Sequence, residues 1–442
     1  MTLFVLPIGD ELAFPTARAV HQPPLSLSGV STPAAALSME EAVEAAVANN
    51  RRIAAAARDV IAARQGVRSA GALTNPNLLF TPALTGGVGG GSDTEVLVQQ
   101  PLEINGIRTA RRGAASAQSR RAAALAVVEL RSVVFAARSA YLEVARAREQ
   151  SVLARTLFQT AEELDRVARR QVELGTRPAI EQTQTGIEVT RAKQQAALAR
   201  AAVTSSEAAL NSVMNRSPNA PVGTVALPDV AAVFTAPLPD LQDVIRRALA
   251  QRTEIAAAEA ASDAFRQEAR LARAEGIPDI APQWRAGSVT RGVQQSGFGI
   301  GITLPLFDYG SRRGRVRQAE ASSRAEGERV EAARVQVQQE AVQALARATA
   351  AREVLATYPE GLLDEAARLL RASRVGYEEG RTSIIQLVEA QRTYRQVQND
   401  FITAQVEYAL ALAEMERAGG SFPTAALPTS LDSIGQSQRR NP

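Results

Sequence analysis

Between residues 296 and 306 the chain reads Ser-Gly-Phe-Gly-Ile-Gly-Ile-Thr-Leu-Pro-Leu, and this stretch decides the fold. Phe298, Ile300, Ile302 and Leu304 alternate with Gly299, Gly301 and Thr303. A period of two sends the first set to one face of a strand and the second to the other. One face is therefore apolar and the other small or polar. Alternation over about ten residues is the per-segment pattern of an outer-membrane barrel strand, and equally of a soluble hairpin resting one face on a core. Neither these glycines nor the cluster at 86–91 is followed by Lys-Ser/Thr or set in a dinucleotide context, so neither is a phosphate loop.

The same pattern occurs in the first half of the chain, where Val96 and Val98 alternate with Glu95, Leu97 and Gln99. The resemblance between halves extends well beyond the strands. At an offset of 202, Met39, Val43, Ala46, Val47, Ile53 and Ala54 to Ala56 fall on Leu241, Ile245, Ala248, Leu249, Ile255 and Ala256 to Ala258; Arg64-Gln65 falls on Arg266-Gln267 and Pro76 on Pro278. At 204, Pro101-Leu102, Gly106 and Arg108 fall on Pro305-Leu306, Gly310 and Arg312; at 205, Gly175 and Ile180 fall on Gly380 and Ile385. The chain is a duplicated unit.

Each unit is expected to run helix, two strands, very long helix, tight turn, helix. After an N-terminal segment (1–37), the first unit (38–215) places strands at 77–86 and 93–102, a long helix over about 107–173, and a turn at 175–178. A linker (216–238) leads to the second unit (239–420), with strands at 279–290 and 296–306, a long helix over about 311–379, and a turn at 380–383; a tail (421–442) follows. First helices are expected over 38–74 and 240–276, and returning helices over 179–215 and 383–418. Each long helix would extend about 100 Å, the second kinked by Pro359 with Gly361.

The last helix carries a clear heptad, Leu387, Ala390, Tyr394, Val397, Phe401, Ala404, Tyr408, Ala411 and Met415. Val189, Ala192, Ala196, Ala199, Val203 and Leu210 repeat it with smaller side chains. This is coiled-coil packing. In the long helix Val127, Leu130, Val134, Ala137, Tyr141 and Val144 form one seam, and Val128, Phe135 and Leu142 a second. A helix with two seams has neighbours on both sides, as in a sheet or cylinder of helices.

Composition excludes several chemistries. Among 442 residues there are 50 Lys+Arg and 46 Asp+Glu, one His and no Cys. Without cysteine there is no disulfide, thiol nucleophile, thiolate zinc site or iron–sulfur cluster, and His21 alone builds no His-rich metal site. No cofactor is implied and no catalytic residue is identified. The chain is 45% apolar but only 4% aromatic, the apolar share being largely alanine, which suits long helices packed closely through small side chains. Lys193 is the only lysine and acidic residues are interspersed with the arginines, so the charges are solvated helix faces rather than a nucleic-acid footprint.

The longest uncharged run, Ser69 to Ser92, is broken by Pro76, Pro82 and glycines and cannot be a spanning helix. Met1 to Ile8 is apolar and Ala17-Arg18-Ala19 has the form of a signal cleavage site, while Asp10 and Glu11 interrupt the apolar stretch. Any membrane contact is made through strands. Four strands cannot close a lipid-exposed barrel, and an open edge in hydrocarbon is prohibitively costly. Three copies would supply twelve strands, with the helices closing into a twelve-helix cylinder. Phe80, Trp284, Phe298, Phe307 and Tyr309 are the candidate membrane-interface aromatics, expected near strand ends. The competing architecture is a soluble coiled-coil scaffold whose strands are structural hairpins.

From about residue 38 to 420 the chain resembles the TolC-type outer-membrane efflux factors. The most specific stretch runs from Tyr358-Pro359 to Ala366, then Gly376-Tyr377-Glu378-Glu379-Gly380-Arg381-Thr382-Ser383, Leu387, Ala390-Gln391-Arg392 and Tyr408. It is similar to the family's Tyr-x-x-Gly turn and heptad helix, particularly in the branch working with resistance-nodulation-division pumps, including cation exporters. The resemblance implies a mainly α homotrimer, an outer-membrane β-barrel of twelve strands above a periplasmic α-barrel, serving as a passive export duct for small molecules or metal ions. The implied partners are outer-membrane lipid, a periplasmic adaptor docking at Gly175, Thr176, Arg177, Gly380, Arg381 and Thr382, and an inner-membrane transporter. It also implies a periplasmic gate at Gln386 and Glu389, with Glu181 and Gln184 their equivalents in the first unit. Gln386 stands where relatives carry an acidic residue, and the chain lacks the cysteine that branch members often lipidate.

Overall fold

The computed structural model describes residues 36–81, 95–104, 106–227, 234, 237–289, 293–303, 309–358 and 361–420. Unit one comprises α1 (Met39–Asn49), α2 (Arg51–Ala70), β1 (Asn77–Thr81), β2 (Glu95–Gln99), α3 (Ile107–Glu173) and α4 (Ala179–Val213). Unit two comprises α5 (Leu241–Gln251), α6 (Thr253–Ala274), β3 (Asp279–Val289), β4 (Val293–Thr303), α7 (Ser311–Ala356), α8 (Leu362–Glu378) and α9 (Ile384–Gly419). Among the described residues no helix is long and apolar enough to cross a membrane.

The helices form a layer one helix thick. The 67 residues of α3 extend about 100 Å. Its sheet-proximal part lies between α2 and α6, and its distal part between α4 and α9. The two seams thus have two sets of partners, with Leu130, Val134, Tyr141 and Leu142 all buried. In unit two, α7 packs on α6 above and on α9 below. Alanine makes close approach possible: Ala257, Ala260, Ala261 and Ala264 of α6 and Ala341, Ala344 and Ala348 of α7 are buried. Along α9, Leu387, Ala390, Ala404, Tyr408 and Ala411 are buried on the expected seam.

The expected first helix of each unit is broken, at Asn50 and Arg252, whose backbones are extended (φ −67°, ψ 127° and φ −76°, ψ 119°). These positions are 202 residues apart, the offset of the repeat. Different chemistry supports each break. The Asn50 side chain caps α2 by accepting from the Arg52 N–H and donates to the Val213 carbonyl at 2.8 Å. Arg252, its side chain only 4% exposed, pairs with Glu254 and Glu340 at 2.8 and 2.9 Å. Burial raises the Glu254 carboxyl, but the hydrogen bond and charge of Arg252 outweigh it and hold the group below the usual carboxylate range. The second long helix is likewise two helices, with α8 starting after Gly361 in the left-handed region (φ 98°).

The sheet has strand order β1-β2-β3-β4, all antiparallel. Each unit contributes one hairpin, and β2 pairs with β3 to join them. β4 begins at Val293, three residues before its expected start, because its register pairs Val293 with Val289.

Candidate functional site

The strand register determines which residues share a face, since directly opposed residues point the same way. Leu78 lies opposite Val98 and Phe80 opposite Val96; Val98 lies opposite Trp284 and Val96 opposite Ala286; Trp284, Pro282 and Ile280 lie opposite Phe298, Ile300 and Ile302. One face of all four strands is therefore apolar, and it is uncovered. Phe298 is 92% exposed, Ile300 72% and Leu78 70%. A monomeric soluble protein seldom shows so continuous an apolar surface.

The other face is mostly polar or small. Arg285 pairs with Glu95 at 2.7 Å, Gln283 lies against Gly299 and Gly301, and Gln99 sits opposite Gln283, with Leu79 and Leu97 the apolar exceptions. Apolar on one side and polar on the other suits lipid outside and water inside a barrel. The eleven residues of β3 and of β4 match the 9–11 that a tilted spanning strand requires.

Trp284 and Phe298, expected near strand ends, face each other at the midpoint of β3 and β4. The early start of β4 moves Phe298 from the rim of the apolar band to its middle, where the register sets it opposite Trp284, which is central in the expected strand 279–290 as well. Phe80 belongs to the same face, while Tyr309 stands fully exposed just before α7 with a left-handed backbone (φ 46°). Phe307 lies outside the described residues.

At the opposite end, α3–α4 and α8–α9 turn back through Gly175 and Gly380, both in the left-handed region (φ 73° and 78°). The second turn is tight: Arg381 and Thr382 both donate backbone N–H to the Gly376 carbonyl, and a Cβ on Gly376 would lie 2.7 Å from the Thr382 methyl. Ser383 then starts α9 through a capping box with Gln386.

Between the two tips sits a network that sequence reasoning did not identify. Tyr377, fully buried, donates its hydroxyl to the Glu181 carboxylate at 2.9 Å. The Arg177 guanidinium lies 5.0 Å from the centre of the Tyr377 ring, 3.5 Å from Glu181, and donates to the carbonyls of Tyr377 and Thr382. Burial, then the Glu181 hydrogen bond and charge, push the Tyr377 phenol up to about 12. The phenol therefore stays a donor at every physiological pH. Behind it, Asp165 of α3 accepts from Thr185 of α4 at 2.7 Å and from Arg169 at 2.7 Å.

The structure thus separates the four gate candidates. Glu181 is buried between the hairpins of one chain, and Gln386 occupies a cap while remaining exposed. Glu389 is exposed and pairs with Arg392, which also reaches Glu188 at 3.5 Å. Gln184 lines the groove between α4 and α9 with Glu389, Ile187 and Ile385. Among the docking candidates, Gly175, Thr176, Gly380 and Arg381 are exposed; Arg177 is largely occupied by the inter-hairpin network, and Thr382 is half-buried and donates to the Ser373 carbonyl. The sequence signal for the network was Tyr377 three residues before one turn glycine and Glu181 six after the other.

Residues 244–421 match the family pattern of the outer membrane efflux proteins. Over that unit the chain is similar to the outer membrane efflux proteins. Over most of its length the chain shares its fold with solved outer-membrane channel proteins. It is 26% identical over 404 residues to the cobalt-zinc-cadmium resistance protein CzcC of Cupriavidus metallidurans, covering 89% of this chain and 93% of that protein. It superposes on the outer membrane protein VceC of Vibrio cholerae with a TM-score of 0.71 at 16% identity, covering 87% of this chain and 96% of VceC. With the open state of the Neisseria gonorrhoeae MtrE outer membrane channel the TM-score is 0.70 at 21% identity, covering 87% and 89%.

Proposed function

We propose that three copies of this chain close the four-stranded sheet into a twelve-stranded barrel in the outer membrane of a Gram-negative bacterium, with the helices forming a continuous duct through the periplasm. The protein is the outer-membrane channel of a tripartite efflux system, and solutes move through it passively. One observation carries this reading: an exposed apolar face runs across all four strands and is backed by a mostly polar one. That surface is stable in hydrocarbon only when its edges are closed by further strands.

The chain itself assigns no chemical step, so the free energy for export enters elsewhere. A periplasmic adaptor meets the exposed tips at Gly175, Thr176, Gly380 and Arg381, and an inner-membrane transporter of the resistance-nodulation-division type loads the duct. Arg177 and Thr382 act behind that surface by holding the tips together. Opening requires the α3–α4 and α8–α9 hairpins to shift, which strains the bond between Tyr377 and Glu181; an adaptor that binds the shifted state better moves the population toward it. Glu389, exposed on α9, is the candidate for a carboxylate ring at the entrance, flanked by Gln386 and Gln184. The relation to CzcC favours divalent metal cations as cargo.

The test is extraction followed by size analysis and bilayer recording. The channel is expected to require detergent, to run as a trimer and to give discrete conductance steps. A monomer that remains in the aqueous fraction would return the chain to the scaffold class.

A further inference from the structure

Seven arginines crowd the two helix starts that lie directly beneath the sheet. Arg108, Arg111 and Arg112 belong to α3; Arg312, Arg313, Arg315 and Arg317 belong to α7. No Asp or Glu occurs in 107–117 or in 311–319, and two of the positions recur between units, Arg108 with Arg312 and Arg111 with Arg315. Arginine in a first turn opposes the helix dipole. Several other first turns carry acids, as with Glu40 and Glu41 in α1, Asp243 in α5, and Asp364 and Glu365 in α8, although α2 also opens on Arg51 and Arg52. Helix stability therefore does not account for this charge.

Some of these cations have partners inside the fold. Arg111 holds Glu103 and the Ala70 and Ala72 carbonyls, Arg108 donates to the Gly71 carbonyl, and Arg315 pairs with Glu275. Arg112, Arg313 and Arg317 are exposed and make no hydrogen bond or ion pair with any described residue. Immediately above them the chain displays Tyr309, 97% exposed, and then the apolar face ending at Ile280 and Ile302. A left-handed backbone is uncommon for a bulky side chain. In unit two the apolar strand, the exposed aromatic and the basic helix start follow one another along the chain.

We infer that this belt binds the anionic phospholipid headgroups of the leaflet nearest the helices; the inference rests on the sheet being the lipid-facing surface. The argument is charge complementarity and continuity. A guanidinium pairs with a phosphate through two parallel hydrogen bonds, and its aliphatic stem lies along apolar surface while the head stays at headgroup depth. In a trimer the three unpaired arginines become nine around one circumference. The belt fixes how deep the barrel sits and prevents the helices from being drawn into the bilayer.

The test uses the full chain diluted from detergent into vesicles of phosphatidylcholine alone, or of phosphatidylcholine with phosphatidylglycerol, scoring insertion by flotation and protease protection. At low salt the natural chain is expected to insert at least about tenfold better into the anionic vesicles, and the preference should disappear at high salt. The variant R112Q/R313Q/R317Q should insert into neutral vesicles as well as the natural chain yet lose most of the preference. The control R155Q/R166Q/R371Q, which removes equal charge from exposed sites on the helices far from the sheet, should keep it. Should the triple variant misfold, R313Q alone is expected to lower the preference about threefold. Equal insertion of the natural chain into both vesicles, or a triple variant that retains the preference, overturns the belt while leaving the barrel intact. Failure to insert even into neutral vesicles overturns the barrel reading and the belt with it.

Discussion

The Tyr377 hydroxyl donates to the Glu181 carboxylate across 196 residues of sequence, and this bond joins the two hairpins at their tips. Arg177 completes the contact by lying over the ring and beside the carboxylate. Buried hydrogen bonds to a charged group contribute about 1.5–3 kcal/mol. Tyr377→Phe keeps the ring beneath Arg177 and removes only the bond. It is expected to raise the open fraction about tenfold or more, read as higher mean conductance in planar bilayers. Unaltered gating would remove the latch from the opening mechanism.

The same phenol predicts a window of alkaline sensitivity. Its folded pKa, about 12, lies above the ordinary value of 10.0. The proton is thus held more tightly in the folded tip than in the unfolded chain, so the stabilisation is complete below about pH 10 and declines as the pH rises toward 12. Protection of the amides in 370–390, measured against their intrinsic exchange rate at each pH, should fall over that interval in the natural chain, and Tyr377→Phe should abolish this fall.

On the sheet, the register predicts opposite outcomes for neighbouring substitutions. Ile300→Arg places a charge on the apolar face and is expected to cost about 2–4 kcal/mol. Gln99→Arg lies on the polar face and should cost little. Heat-modifiability of the folded barrel on gels measures both. Equal tolerance would mean that the faces are wrongly assigned.

Arg252 supplies a fourth prediction. Replacing it by Met leaves Glu254 and Glu340 near a buried joint without their cation, which is expected to cost about 2 kcal/mol or more near neutral pH. Both carboxyls are held below their ordinary value with Arg252 present. Their contribution is present above about pH 4.5 and is lost as pH falls, so the melting difference between the natural chain and the variant should narrow in acid. A constant difference from pH 3 to 7 would assign the loss to packing alone.

If Glu389 lines the entrance as proposed, Glu389→Gln should alter conductance and its block by cations. Arg392, bonded to both Glu389 and Glu188, makes a useful comparison: Arg392→Gln frees the carboxylate and should shift conductance the other way. No change in either variant would take Glu389 out of the ion path.

Much of this architecture is written locally. The heptads, the alternation from Phe298 to Ile302, and the glycines at 175 and 380 specify elements through interactions within a few residues, and duplication makes each signal appear twice. Those signals alone determined that the chain is two similar units of long helices and paired strands, with one apolar strand face. Only the tertiary structure decided where the continuity breaks and which polar groups become buried. Arg252 is a good helix former held extended because Glu254 and Glu340 pair with it there. Trp284 and Phe298 meet at mid-strand because a register slip of even one residue would turn every side chain over. Glu181, a gate candidate by its position in the sequence, is buried because Tyr377, far along the chain, covers it. Periodicity fixes the kind of element, whereas burial depends on partners that close in from distant sequence, and those partners exist only once the chain has folded.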